Sequence, residues 1–125
     1  MMEKMFENCI SLEKIIIKDI ITSKVQYFSC MFYNCKCLKS IDLNSFDMSS
    51  CKDISFMFKN CISLESLNIT TWKPCNLSDM REFLCGCSSL NSIDMRSLFS
   101  SISFRYISKD RWLWDCDRNL SVKVR

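Results

Sequence analysis

The chain has 125 residues with 17 basic against 14 acidic side chains, a formal net charge of +3. The signs are interspersed, so one domain fits and no electrostatic footprint for nucleic acid is present. Ten cysteines stand beside no histidine, which removes the commonest metal ligand and the commonest general base. No apolar run approaches a membrane span and the Met1 to Phe6 start lacks a long apolar h-region, so neither membrane insertion nor a signal peptide is expected. A cytoplasmic chain with reduced thiols is then favoured, or a cell-surface one if the chain is part of a longer protein.

In chain order the same pattern returns every 26 residues. Met5-Phe6 recurs as Met31-Phe32, Met57-Phe58 and Phe83-Leu84. Asn8-Cys9 recurs as Asn34-Cys35, Asn60-Cys61 and Gly86-Cys87. Leu12, Leu38, Leu64 and Leu90 follow, then Ile15, Ile41, Leu67 and Ile93, then Ile17, Leu43, Ile69 and Met95. A fixed period of this length marks a solenoid, in which each coil buries its apolar face only against its neighbours.

Each repeat reads as two elements. Ile54, Met57, Phe58 and Cys61 lie at i, i+3, i+4 and i+7, which predicts a short amphipathic helix. Ser50 would cap it, with Asp53 three residues on, and Ser23 with Gln26 would form a capping box in the repeat before. The Asn8, Asn34, Asn60 and Gly86 column would end each helix, because Asn and Gly tolerate the left-handed conformation found there. Ile41 and Leu43 then alternate with Ser40, Asp42 and Asn44, as in a short strand with one buried face.

A worn fifth copy follows at a shift of 29, with Trp112-Leu113, Cys116, Val122 and Val124 in the core columns and Asn119 in the leucine column. The extra residues would be inserted near Ser100 to Arg105. Trp112 and Trp114 would then cover the last coil. The expected fold is an α/β solenoid of leucine-rich-repeat type, with short parallel strands on one face and short helices on the other. Residues 1–99 form four clear coils, and residues 100–125 form a degenerate coil acting as C-terminal cap. The first coil has no amphipathic cap before it, which leaves a route to self-association.

The motif Met-Phe-x-Asn-Cys-x-x-Leu-x-x-Ile-x-Leu-x-x-Phe, read from Met31 to Phe46 and again from Met57 to Trp72, resembles the BspA-like class of leucine-rich repeats. The segment Phe46-Asp47-Met48-Ser49 adds to the likeness. The resemblance covers about residues 5–99. It implies an extended, non-catalytic interaction surface, in a family abundant among surface and adhesion proteins. It transfers no site residue, because the signature is made of core positions.

Catalytic chemistry has little to work with. A nucleophilic cysteine would need Lys or a carboxylate as base, and no motif supplies one. No Gly-rich phosphate loop is present. Cys35-Lys-Cys37 and Cys85-Gly-Cys87 look like paired thiolates, yet Cys9, Cys35, Cys61 and Cys87 occupy a core column and read better as a ladder of buried thiols. Asp42 and Asp94 share a strand column with Asn68 between them, which is better read as a solvated face than as an acid/base pair. No catalytic residue, metal or cofactor is therefore expected.

The site expected is the outward strand face, whose rows are Lys14, Ile16 and Lys18; Ser40, Asp42 and Asn44; Ser66, Asn68 and Thr70; and Ser92, Asp94 and Arg96. Solenoids bind partners on such faces, and the small Ser40, Ser66 and Ser92 would let a ligand approach closely. The function expected is a protein-interaction scaffold with a protein partner. The alternative is an exported surface or adhesion fragment that binds host matrix or glycan.

Overall fold

In the computed structural model residues 1–102 and 106–125 are described. The regular elements are β1 (Ser40–Asp42), β2 (Ser66–Asn68), β3 (Ser92–Asp94), α1 (Arg96–Ser101) and β4 (Ser121–Lys123). β1 pairs in parallel with β2, Ile41 opposite Leu67. β3 pairs in parallel with β4, Ile93 opposite Val122, a shift of 29. The insertion expected near Ser100 to Arg105 runs into 103–105, outside the described residues.

The amphipathic stretch of each repeat is not a helix. Successive turns replace it, and the reason lies in where its N–H groups point. In the second repeat the N–H groups of Phe28, Cys30, Phe32 and Asn34 donate to the carbonyls of Asp53, Ser55, Met57 and Lys59, at 2.9 to 3.1 Å. The intervening Met31, Tyr33 and Cys35 donate three residues back, to Phe28, Cys30 and Phe32. Half of the donors that a helix would use internally thus join one coil to the next. The same alternation runs from Met2 through Gly86 and links all five repeats.

Positive φ is the local signature of these turns. It occurs twice per repeat, four residues apart: Lys4 and Asn8, Cys30 and Asn34, Phe56 and Asn60, Glu82 and Gly86, Arg111 and Asp115. A left-handed residue every fourth position excludes a continuous α-helix and suits the third position of a tight turn. Turns of this period keep the i, i+3, i+4, i+7 spacing, so Ile54, Met57, Phe58 and Cys61 are all buried even without a helix. The expected caps change role with it. Ser50 Oγ donates to the Ser23 carbonyl at 2.6 Å, across coils, and Asp53 Oδ1 accepts the Ser55 N–H at 2.7 Å.

The core lies between these turns and the strands. Phe6 and Phe32, then Phe32 and Phe58, stack at 5.4 and 5.3 Å, and Phe83 meets Phe58 edge-on at 5.6 Å. Trp72 is fully buried, and its indole N–H donates to the Leu43 carbonyl at 3.0 Å. Each of four thiols donates to a carbonyl of the coil before it: Cys35 to Phe6, Cys61 to Phe32, Cys87 to Phe58 and Cys116 to Leu84, at 3.1 to 3.2 Å. A thiol is a small apolar side chain with a weak donor. It fits a column that must be compact and must also face a backbone oxygen.

Burial follows position in the stack. Met31, Phe32, Met57, Phe58, Phe83 and Leu84 have no exposed surface. Their counterparts at the two ends, Phe6 in the first coil and Trp112 and Leu113 in the fifth, are only half-buried. The same columns are thus less covered in the first and fifth coils than in the three between them. Asn119 is exposed, and Leu120 beside it packs on the core instead. Trp114 lies 60% exposed, so it does not cover the last coil.

Candidate functional site

The strand face is built by alternation. Ile41, Leu67 and Ile93 point inward and are buried, which leaves Ser40, Asp42, Ser66, Asn68 and Ser92 exposed on the other side. Asp94 is half-buried. Thr70 and Arg96 are exposed beyond the strand ends, and Asn44 is half-buried. In the first coil Lys14, Ile16 and Lys18 are exposed too, on a segment that is extended without regular strand pairing.

The hydrogen-bond ladder of this face has gaps. It is made between β1 and β2 and between β3 and β4, whereas no pairing joins β2 to β3 among the described residues. The turn side is bridged without a break, Tyr27 to Asp53 to Asp79 to Ser108. The coils are therefore tied on one side and looser on the other, and shallow grooves open on the looser side. One, of about 340 Å³, lies between Lys14 to Lys18 and Ser40 to Ser45. Another, of about 400 Å³, is lined by Thr70, Lys73, Asp94, Arg96, Ser97 and Ser100.

Of the residues expected to form the site, the first groove brings together Lys14, Lys18, Ser40, Asp42 and Asn44. The second brings together Thr70, Asp94 and Arg96. Ser66, Asn68 and Ser92 line neither groove. Thr71, Lys73 and Ser97 were missed by the sequence reading. Thr71 Oγ1 donates to the Asn44 carbonyl at 2.9 Å, and its N–H donates to Asn44 Oδ1 at 3.1 Å. Asn44 Nδ2 donates in turn to Thr70 Oγ1 at 3.1 Å. These residues flank the buried Phe46, Trp72 and Leu98 column without being apolar themselves, so no apolar period marks them.

Electrostatics set the character of the second groove. Arg96 clamps Asp94 through Nε and Nη2 at 3.0 and 2.7 Å, and its backbone N–H adds a third bond at 3.1 Å. These donors, the Arg96 side chain first, hold the Asp94 carboxyl down at about 2. It is ionised at neutral pH and serves as a fixed acceptor, not a proton donor. Asp79 and Arg81 repeat the same clamp on the turn side, at 2.7 Å. Lys59 pairs across coils with Glu82 at 2.8 Å, which raises the lysine and lowers the glutamate.

The thiols are distributed by burial. Burial pushes Cys35 up to about 11 and Cys51 and Cys61 up to about 12, and raises Cys87 further still. None of these four is a thiolate nucleophile or ligand at neutral pH. Within the Cys35-Lys-Cys37 motif the first thiol is buried and the second exposed, so the two do not converge.

No helix among the described residues is long and apolar enough to cross a membrane. No curated protein and no solved structure matches the chain. A family model described as Mycoplasma protein of unknown function, DUF285, matches residues 1–99. Those are the four regular coils that build the core columns and three of the four strands. By that match, the chain belongs to this Mycoplasma family of unknown function.

Proposed function

We propose that the chain is a leucine-rich-type solenoid of the BspA-like kind and that it works as a non-catalytic scaffold, binding a protein partner on its strand face. The observation that carries this reading is the grooved row of polar side chains from Lys14 and Lys18 through Asp42 and Asn44 to Thr70, Asp94 and Arg96. These side chains offer donors, acceptors and charges of both signs, in register over rigid buried columns. A rigid base lowers the ordering entropy of binding.

The test is a selection of displayed peptides against the 125-residue chain, followed by competition among single variants. Binding lost in Asn44→Arg and Asn68→Arg but kept in Lys52→Glu, on the turn side, supports the reading. Peptides that bind all three variants equally, or that lose affinity only for Lys52→Glu, refute it.

A further inference from the structure

On the strand side the first two coils are pinned together at two points and left open between them. At one pin the Lys39 N–H donates to the Glu13 carbonyl at 3.3 Å. At the other, Thr22 Oγ1 donates to the Asp47 carbonyl at 3.0 Å and accepts the Asp47 N–H at 2.7 Å. The chain takes one residue more to run from Glu13 to Thr22 than from Lys39 to Asp47, so the two runs cannot stay in register over their whole length. The left-handed Asp19, φ 56°, bends the longer one. Between the pins lies the groove of about 340 Å³.

Backbone groups are left over along this groove. Successive residues of a strand turn their N–H and carbonyl groups to alternate sides. Ile41 lies in register with Leu67, and the Leu43 N–H donates to Asn68, so Ser40 and Asp42 turn theirs toward the first coil. Among the described residues no backbone hydrogen bond joins Ser40 or Asp42 to the run from Lys14 to Lys18. β1 thus carries a free edge inside the stack, the arrangement to which an extended peptide adds as a further strand. We infer that this groove binds an extended acidic peptide by strand addition to β1, with acidic side chains on Lys14 and Lys18.

Side chains fix the pattern of that peptide. Ile15, Ile17 and Ile41 line the groove and pack on the core, which makes its floor apolar. Lys14, Ile16 and Lys18 stand exposed above them, and among the described residues neither lysine has an ion-pair partner. Alternate side chains of an extended segment face the floor. A pentapeptide with acidic ends therefore sets one carboxylate beside Lys14 and the other beside Lys18, as cross-strand charge pairs. Its second and fourth residues, small and apolar, meet the floor. Its central residue meets Ile16 and is apolar too, because Asp42, one repeat on from Ile16, repels a third acid there. This order reads the same in both chain directions, so parallel and antiparallel entry give the same contacts. The inference rests on the scaffold reading and deepens it by naming the chemistry of the partner.

An NMR titration of the isotope-labelled 125-residue chain tests this with three probes: acetyl-Glu-Val-Val-Val-Glu-amide, the same peptide with Lys at both ends, and the acidic peptide N-methylated at all its valines. The acidic peptide should shift the amide signals of Ile15 to Lys18 and of Ser40 to Asp42, and slow hydrogen exchange at the Asp42 amide. The other two should leave those signals in place. Lys14→Glu combined with Lys18→Glu should weaken the acidic peptide by roughly tenfold; both positions are exposed, so the variant keeps the wild-type far-UV circular dichroism. An acidic peptide that moves none of these signals overturns the inference. So does equal binding of the N-methylated peptide, which can add to no strand edge, and so does binding indifferent to the two lysine substitutions. Displayed peptides that need Asn68 but ignore Lys14 and Lys18, with the acidic peptide inert, would leave the scaffold reading standing and sink this inference alone.

Discussion

The buried thiols make the fold sensitive to alkali, and the size of the effect follows from burial. Cys51, Cys61 and Cys87 have no exposed surface, and burial raises all three from the ordinary value of 9.0. A thiol that is raised in the folded chain stabilises it fully below the unfolded value, and that stability is lost as pH climbs toward the folded value. Above pH 9 the unfolded chain has released the proton and the folded chain still holds it. Each such thiol then removes about 1.4 kcal/mol per pH unit, and the three together about 4 kcal/mol per pH unit. By about pH 11 the loss is about 8 kcal/mol, comparable to the whole stability of an ordinary domain at ~5–15 kcal/mol. The stack should unfold cooperatively between about pH 10 and about pH 11, as these thiols ionise. Far-UV circular dichroism and thiolate absorbance, recorded on the same samples, should change together. Cys61→Ala should lower stability at neutral pH by about 1–2 kcal/mol, through lost volume and a lost donor to Phe32. It should also flatten the alkaline slope by about 1.4 kcal/mol per pH unit. Thiolate absorbance from all ten cysteines with native dichroism retained, or an unchanged slope in Cys61→Ala, would refute the reasoning.

Three further outcomes are expected. Native-state alkylation read by mass spectrometry should label the exposed Cys37 and Cys75 and spare Cys35, Cys51, Cys61 and Cys87 until denaturant is added; equal labelling of Cys61 and Cys37 would contradict the buried column. Leu64→Asp buries an unpaired charge where no surface is exposed and should abolish cooperative thermal unfolding, a cost above about 4 kcal/mol, while Ser66→Asp two residues on should stay within about 0.5 kcal/mol. Carbon-detected NMR should find the Asp94 carboxyl titrating at about 2; its contribution is present above the ordinary 3.8 and fades as pH falls toward 2, and in Arg96→Gln the titration should move back up, an unmoved value showing that Arg96 is not the cause.

The conformation of the turn column was readable in advance. Asn8, Asn34, Asn60 and Gly86 all have positive φ, as their side chains suggest. Gly86 is the member that tolerates least change, because a Cβ there would lie 2.6 Å from Asn60 Oδ1. Four other left-handed positions, Lys4, Cys30, Phe56 and Glu82, carry no such mark. Their conformation costs roughly 1–2 kcal/mol each for a residue with a Cβ, and it is imposed by hydrogen bonds to the next coil. No local preference of lysine or phenylalanine could announce it.

By itself the sequence determined the 26-residue period and which residues are apolar in each coil, and these choose the buried columns because an apolar side chain repeated at one position can be covered only by its copies above and below. Helix or turn was left to the tertiary structure, since both place i, i+3, i+4 and i+7 on one face. The choice rests on whether an N–H finds its acceptor in its own coil or in the next. Tertiary packing also decided where the strand face opens. Grooves form between neighbouring coils, from Lys14 to Ser45 where no strands pair and from Asn44 to Lys73 beside the paired β1 and β2, and their shape depends on how whole coils sit against one another, which no single repeat encodes.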